Sequence, residues 1–145
     1  VLEFFNPECP FIKRAHETEA LKATIKMAQS KGVVWLAINA NRPGRQGASP
    51  KSNVDSIKTL SLSFPILLNP TGTVGRAFSA TRTPEMVIIG TAGEIVYQGA
   101  VDSSGGSRHT KGPVQHWLKK ALTQYLVGEP VTQKRTKPWG CSIKY

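Results

Sequence analysis

A chain of 145 residues with 39% hydrophobic content is long enough for one domain with a substantial core and too apolar for disorder. It contains no apolar run of about eighteen residues or more, so no membrane span is expected; no basic-then-apolar leader is seen at Val1, which decides little and leaves the compartment open. The net charge of +10 is scattered along the chain apart from a loose cluster at Lys134, Arg135 and Lys137, and without an aromatic-basic motif it reads as solvated surface and not as a nucleic-acid footprint.

Residues 1–5 form a β-type apolar stretch that stops at Asn6-Pro7-Glu8, and Cys9 stands where a helical pattern begins. A helix N-terminus presents unpaired N–H groups and the positive end of the macrodipole, which favours thiolate over thiol. Free cysteines are also commonly buried structural residues, so both readings stand at this point. The helix is expected from about residue 10 to residue 30, with Leu21, Ile25 and Ala28 on one buried stripe and Gly32 as its stop. The continuous apolar run 33–39 reads as a parallel strand covered on both faces, which completes a right-handed β-α-β unit.

After a Gly/Pro-rich loop, Ser49 as N-cap and Pro50 in the first turn open a second helix, with Val54, Ile57 and Leu60 as its stripe. A short strand at residues 66–68 follows. Residues 86–89 and 94–98 flank Gly90-Thr91-Ala92-Gly93 and form an antiparallel hairpin. Pro113 opens a third helix whose Val114, Trp117, Leu118, Ala121, Leu122, Tyr125 and Leu126 give the clearest amphipathic pattern in the chain, ended by Gly128. Residues 129–145 have no period and are expected to pack as an extended tail carrying Cys141.

Two cysteines are too few for a disulfide scaffold, and no Cys/His spacing suits zinc, so neither metal nor organic cofactor is expected. His16, His109 and His116 are expected at the surface or in packing roles. If Cys9 attacks a disulfide or a peroxide, the mixed disulfide or sulfenic acid needs a second thiolate for release, and Cys141 is the only other thiol in the chain. A permanent Cys9–Cys141 staple and an inert Cys141 are the alternatives. Arg82, Lys13 and Arg14 could stabilise a thiolate at Cys9 or stand as solvated charges, whereas Glu8 beside it disfavours the thiolate.

A β-α-β unit with a cysteine at the first strand-to-helix turn, then a hairpin and a closing helix, resembles the thioredoxin superfamily. Asn6-Pro7-Glu8-Cys9-Pro10-Phe11-Ile12-Lys13, Arg82-Thr83-Pro84-Glu85 and Gly140-Cys141-Ser142-Ile143-Lys144-Tyr145 together resemble a redoxin subgroup related to the alkyl hydroperoxide reductase and thiol-specific antioxidant proteins. The resemblance implies an α/β thioredoxin-like domain over residues 1–128, with a central mixed sheet of about four strands flanked by helices and the tail 129–145 packed on it. The strand and loop such domains usually carry ahead of Val1 are absent. The resemblance also implies a cis Thr83-Pro84 bond against the active cysteine, with Thr83, Pro84 and Arg82 lining a substrate groove and Glu3 as a buried proton acceptor. The chain departs from the family pattern at Ile12, where thioredoxins carry a second cysteine, and at Asn6, where peroxiredoxins carry a threonine.

The activity expected is that of a thiol-disulfide oxidoreductase or peroxiredoxin-like reductase. Cys9 would be the nucleophile, Cys141 the resolving thiol, and the partners a disulfide or peroxide substrate and an external thiol reductant, with neither nucleic acid nor membrane. The alternative is a non-catalytic module that docks a partner peptide at the groove beside Thr83 and Pro84.

Overall fold

Strand β1 (Leu2–Phe4) lies at the centre of a mixed sheet in the computed structural model, which describes residues 1–145. It is followed by α1 (Pro10–Glu17), α2 (Glu19–Ser30), β2 (Leu36–Asn39), α3 (Pro50–Thr59), β3 (Ile66–Leu68) and α4 (Thr73–Ala77). Then come β4 (Arg82–Thr83), β5 (Glu85–Ile89), β6 (Ile95–Gly99), α5 (Trp117–Leu126) and β7 (Cys141–Ser142). The five-stranded sheet has the order β3-β2-β1-β5-β6, and β4 pairs with β7 in a separate ribbon. β3, β2 and β1 run parallel, whereas β5 is antiparallel to both β1 and β6. The chain therefore has an α/β fold.

Period-two alternation separates the two faces of this sheet. Glu3, Ala37 and Met86 lie side by side in register, and the two apolar members of the row pack with Ile12 and Ala15 of α1, Leu21 and Ile25 of α2 and Leu118 and Leu122 of α5. Phe4, Ile38 and Val87 belong to a second cluster, which is completed by Ala80 and by Ile143 of the tail. The tail is thus part of the core and not an appendage to it.

Several expectations need correction. The sheet has five strands where about four were expected, because the short strand expected at residues 66–68 joins it as the edge strand β3, beside β2. The single helix expected over residues 10–30 is two helices, because Thr18 leaves helical geometry at φ −76°, ψ 134°. Thr18 closes α1 through its N–H to the Ala15 carbonyl at 3.1 Å and caps α2 by accepting from the Leu21 N–H at 3.3 Å. At the end of α2, Gly32 (φ 73°) and Val33 donate back to Gln29 and Ala28 in a Schellman arrangement, so Val33 serves the cap and the strand starts only at Leu36.

In α3 the stripe is rotated from the expected one. Asn53 is buried and donates to the Gly47 and Ser49 carbonyls, so the neighbouring Val54 faces solvent, while Ile57 and Leu60 are half-buried. α5 begins at Trp117 and not at Pro113. Residues just before it are held instead by the loop at Ser103, whose hydroxyl accepts from the Gln115 N–H at 2.8 Å and whose N–H donates to the Gln115 carbonyl at 3.0 Å.

Candidate active site

The strand β1 and the helix α1 meet at a turn that carries Cys9 to the N-cap of α1. Asn6 makes this turn: its side-chain oxygen accepts from the Glu8 N–H at 2.9 Å and its carbonyl accepts from the Cys9 N–H at 3.0 Å. Pro10 at N1 has no N–H to give, so the first free amides of the helix belong to Phe11 and Ile12. Cys9 is only 1% exposed.

Its sulfur has two close partners. Cys141 Sγ lies 2.7 Å away, 132 residues along the chain, and the thiol form of Cys9 donates to the Thr83 carbonyl at 3.2 Å. Both cysteines are free thiols in this structure. Thr83-Pro84 is a cis peptide, and Thr83 stands opposite Cys141 in the β4–β7 ribbon, with Arg82 opposite Ser142. The Arg82 guanidinium donates to the Ser142 hydroxyl. Chain segments distant in sequence thus bring Cys9, Cys141, Arg82, Thr83 and Pro84 into one site.

The two thiols are electrostatically unlike. Burial opposes ionisation of Cys9, but hydrogen bonds from the Cys141 thiol, the Thr83 hydroxyl and the N–H groups of Ile12 and Cys141 outweigh it and hold Cys9 below the ordinary thiol value. For Cys141, burial acts together with the hydrogen bond to Cys9 and the charge of its thiolate, and its pKa is pushed up to about 12 despite Lys144 and the Phe11 N–H. Of the two thiols, Cys9 is the more readily ionised and Cys141 the one that holds its proton.

Glu3 is fully buried, but its carboxylate contacts neither sulfur. One oxygen lies 2.7 Å from His16 Nε2, and the other accepts from Trp35 Nε1 at 3.1 Å. Lys13 is exposed, and Arg14 turns away to the Gly106 carbonyl and lies over the Phe11 ring. No group of three or more His, Cys, Asp or Glu side chains is arranged to hold a metal ion.

A solved structure of an uncharacterized conserved protein from Geobacillus kaustophilus matches this architecture with a TM-score of 0.84, at 33% identity over 99% of this chain and 75% of that one. The chain belongs to that protein's family. A hypothetical protein from Sinorhizobium meliloti 1021 is similar as well, with a TM-score of 0.80 and 25% identity over 99% of this chain and 78% of the other. No protein-family model and no curated protein matches the chain.

Within this family member, three supporting residues escaped sequence reasoning. His16 is a buried partner of a carboxylate and not a plain packing residue; burial works against its charge, but the Coulombic pull and hydrogen bond of Glu3 raise its pKa. Glu85 accepts from the Thr81 and Arg82 N–H groups through one oxygen and from Gln98 Nε2 through the other, which fixes the segment before Pro84. Gln98 in turn accepts from the Arg135 guanidinium at 2.6 Å, tying the tail to the same network. For Glu85 a signal was present in the sequence: a carboxylate at the start of an otherwise apolar strand needs partners.

Proposed function

We propose that this chain is a thiol-dependent oxidoreductase of thioredoxin-like fold in which Cys9 attacks and Cys141 resolves. The observation that carries this reading is the pair of free sulfurs 2.7 Å apart, one of them at the N-cap of a helix. The strand-to-helix placement of Cys9, with the Thr83 carbonyl beside its sulfur, supports the fold assignment.

The chemistry balances for either oxidant. With a hydroperoxide, the Cys9 thiolate displaces an alkoxide from the peroxide bond; the alkoxide takes up a proton and leaves as an alcohol, and Cys9 becomes a sulfenic acid. Cys141 then forms the disulfide and water departs. With a disulfide RSSR, Cys9 forms a mixed disulfide and releases one thiolate; attack by Cys141 closes the internal disulfide and releases the second. Two equivalents of an external thiol return both cysteines to the reduced state and become a disulfide themselves. The high pKa of Cys141 restrains it while Cys9 is a thiolate, and loss of that neighbouring charge on oxidation lowers the barrier to its own ionisation.

The test is turnover with hydrogen peroxide or 2-hydroxyethyl disulfide in an excess of dithiothreitol and, separately, a single round of oxidation of each pre-reduced variant without reductant, read by intact-mass spectrometry. Cys9→Ser should abolish oxidation. Cys141→Ser should complete the first step and accumulate sulfenic acid or mixed disulfide on Cys9. Oxidation of the Cys9→Ser chain at the rate of the parent would overturn the reading.

A further inference from the structure

The edge of β4 beside Cys9 is already filled by the chain's own tail. An extended polypeptide reaching a sulfur 3.2 Å from the Thr83 carbonyl would have to add as a strand along Arg82 and Thr83, using their main-chain groups. Those ladder positions are held by Ser142 and Cys141, and the Ile143 N–H continues the ladder to the Thr81 carbonyl at 3.1 Å. Gly140 presses so closely on the Thr83 carbonyl that a Cβ there would collide with it.

The tail is fastened on both sides of Cys141. Upstream, Trp139 Nε1 donates to the Asp102 carbonyl at 2.8 Å and its ring packs on Phe11. Downstream, Ile143 is buried, the Lys144 N–H donates to Asn41 Oδ1 at 2.7 Å, and the Tyr145 hydroxyl donates to the Ala80 carbonyl at 2.7 Å beneath the Arg76 guanidinium. A strand anchored at both ends does not fray from one end to admit another. Cys9 and Thr83, at 1% and 2% exposure, are correspondingly closed to a macromolecule.

We propose that residues 140–145 form an occluding strand that bars extended polypeptides from Cys9 and selects low-molecular-weight oxidants, a substrate restriction that rests on the redox reading above. The same filled edge leaves no peptide-docking groove beside Thr83 and Pro84. Small hydroperoxides and small disulfides share the needed chemistry, an electrophilic oxygen or sulfur on a molecule that requires no main-chain pairing.

The rate of Cys9 oxidation should be measured with three oxidants: hydrogen peroxide, 2-hydroxyethyl disulfide, and a peptide homodimer joined by one disulfide and long enough to add as a strand. In the intact chain the peptide should react about a hundredfold more slowly than at least one small oxidant, the reduction expected when about one molecule in a hundred has its tail detached. Deleting residues 143–145, which retains Cys141, should raise the peptide rate about tenfold or more while changing the small-oxidant rates far less. Gly140→Ala, which pushes the tail off Thr83 without removing buried apolar side chains, should act in the same direction. A peptide rate equal to the small-oxidant rates in the intact chain, or one unmoved by both variants, overturns the occluding role and leaves the redox reading standing. If no oxidant reacts at Cys9, both fall together.

Discussion

Cys9 and Cys141 carry the same side chain, yet their surroundings push them apart. Cys9 stands at a helix N-terminus and is surrounded by hydrogen-bond donors, whereas Cys141 sits against a developing anion. Because the Cys141 thiol heads the hydrogen bonds that lower the Cys9 pKa, Cys141→Ala should move the pH midpoint of Cys9 alkylation upward. Cys141→Ser, which keeps a hydroxyl donor, should move it less. The measurement is the rate of labelling by iodoacetamide across pH 5 to 9, a range that brackets the ordinary thiol value of about 8.5. A midpoint indifferent to both substitutions would show that Cys141 does not tune Cys9. Burial of Cys9 makes a small reagent necessary.

At the level of elements, the contact between β1 and α1 has a pH dependence that can be read from its charges. Glu3 of β1 and His16 of α1 form a buried pair that is ionic when His16 is protonated, held also by Trp35 and bordered by the rings of Phe5 and Phe64. The raised folded-state pKa of His16 means that protonation stabilises the folded state. Its contribution is fully present below the unfolded value of about 6.5 and is lost as pH rises through the higher folded value. Thermal unfolding of the reduced chain should therefore show a component that declines from pH 6 upward, in a window set by the reference value of about 6.5, and His16→Gln should remove that component. An identical pH profile in the variant would exclude the pair as its source. Removing one partner leaves the other buried without its counter-charge, so His16→Gln should also be less stable at every pH.

Across the whole molecule, the Cys9–Cys141 bond would link residues 132 apart in sequence and close nearly the entire chain into one loop. In the chain-entropy account a cross-link of that span stabilises by about 5 kcal/mol if unstrained. The oxidised chain should melt above the reduced chain by about 10 °C or more, and the difference should vanish in Cys141→Ser. Calorimetry under oxidising and reducing conditions checks this. Equal melting of the two forms, with the disulfide verified by mass, would show that the bond costs the folded state as much as it removes from the entropy of the unfolded chain.

The sequence by itself determined what local pattern and local chemistry can determine. The alternation of apolar runs with helical stripes gave the α/β class, and the hairpin around Gly90 and Gly93, the N-cap at Ser49 and the stop at Gly128 followed from turn and capping residues whose effects span a few positions. Cys9 at the N-cap of α1 was legible for the same reason, since strand, turn and helix start are contiguous. The break at Thr18 was also written locally, in a threonine followed by Glu19 and Leu21, but the continuous apolar stripe masked it. Only tertiary structure could decide that Val54 faces solvent, because the orientation of α3 is set by the buried Asn53, whose side-chain oxygen accepts from Asn39 of β2. It alone could seat His16 against Glu3, place Cys141 beside Cys9 and lay the tail along Thr83. These contacts join residues from 13 to 132 positions apart, and no periodicity records a pairing whose partners are brought together only by the closing of the core.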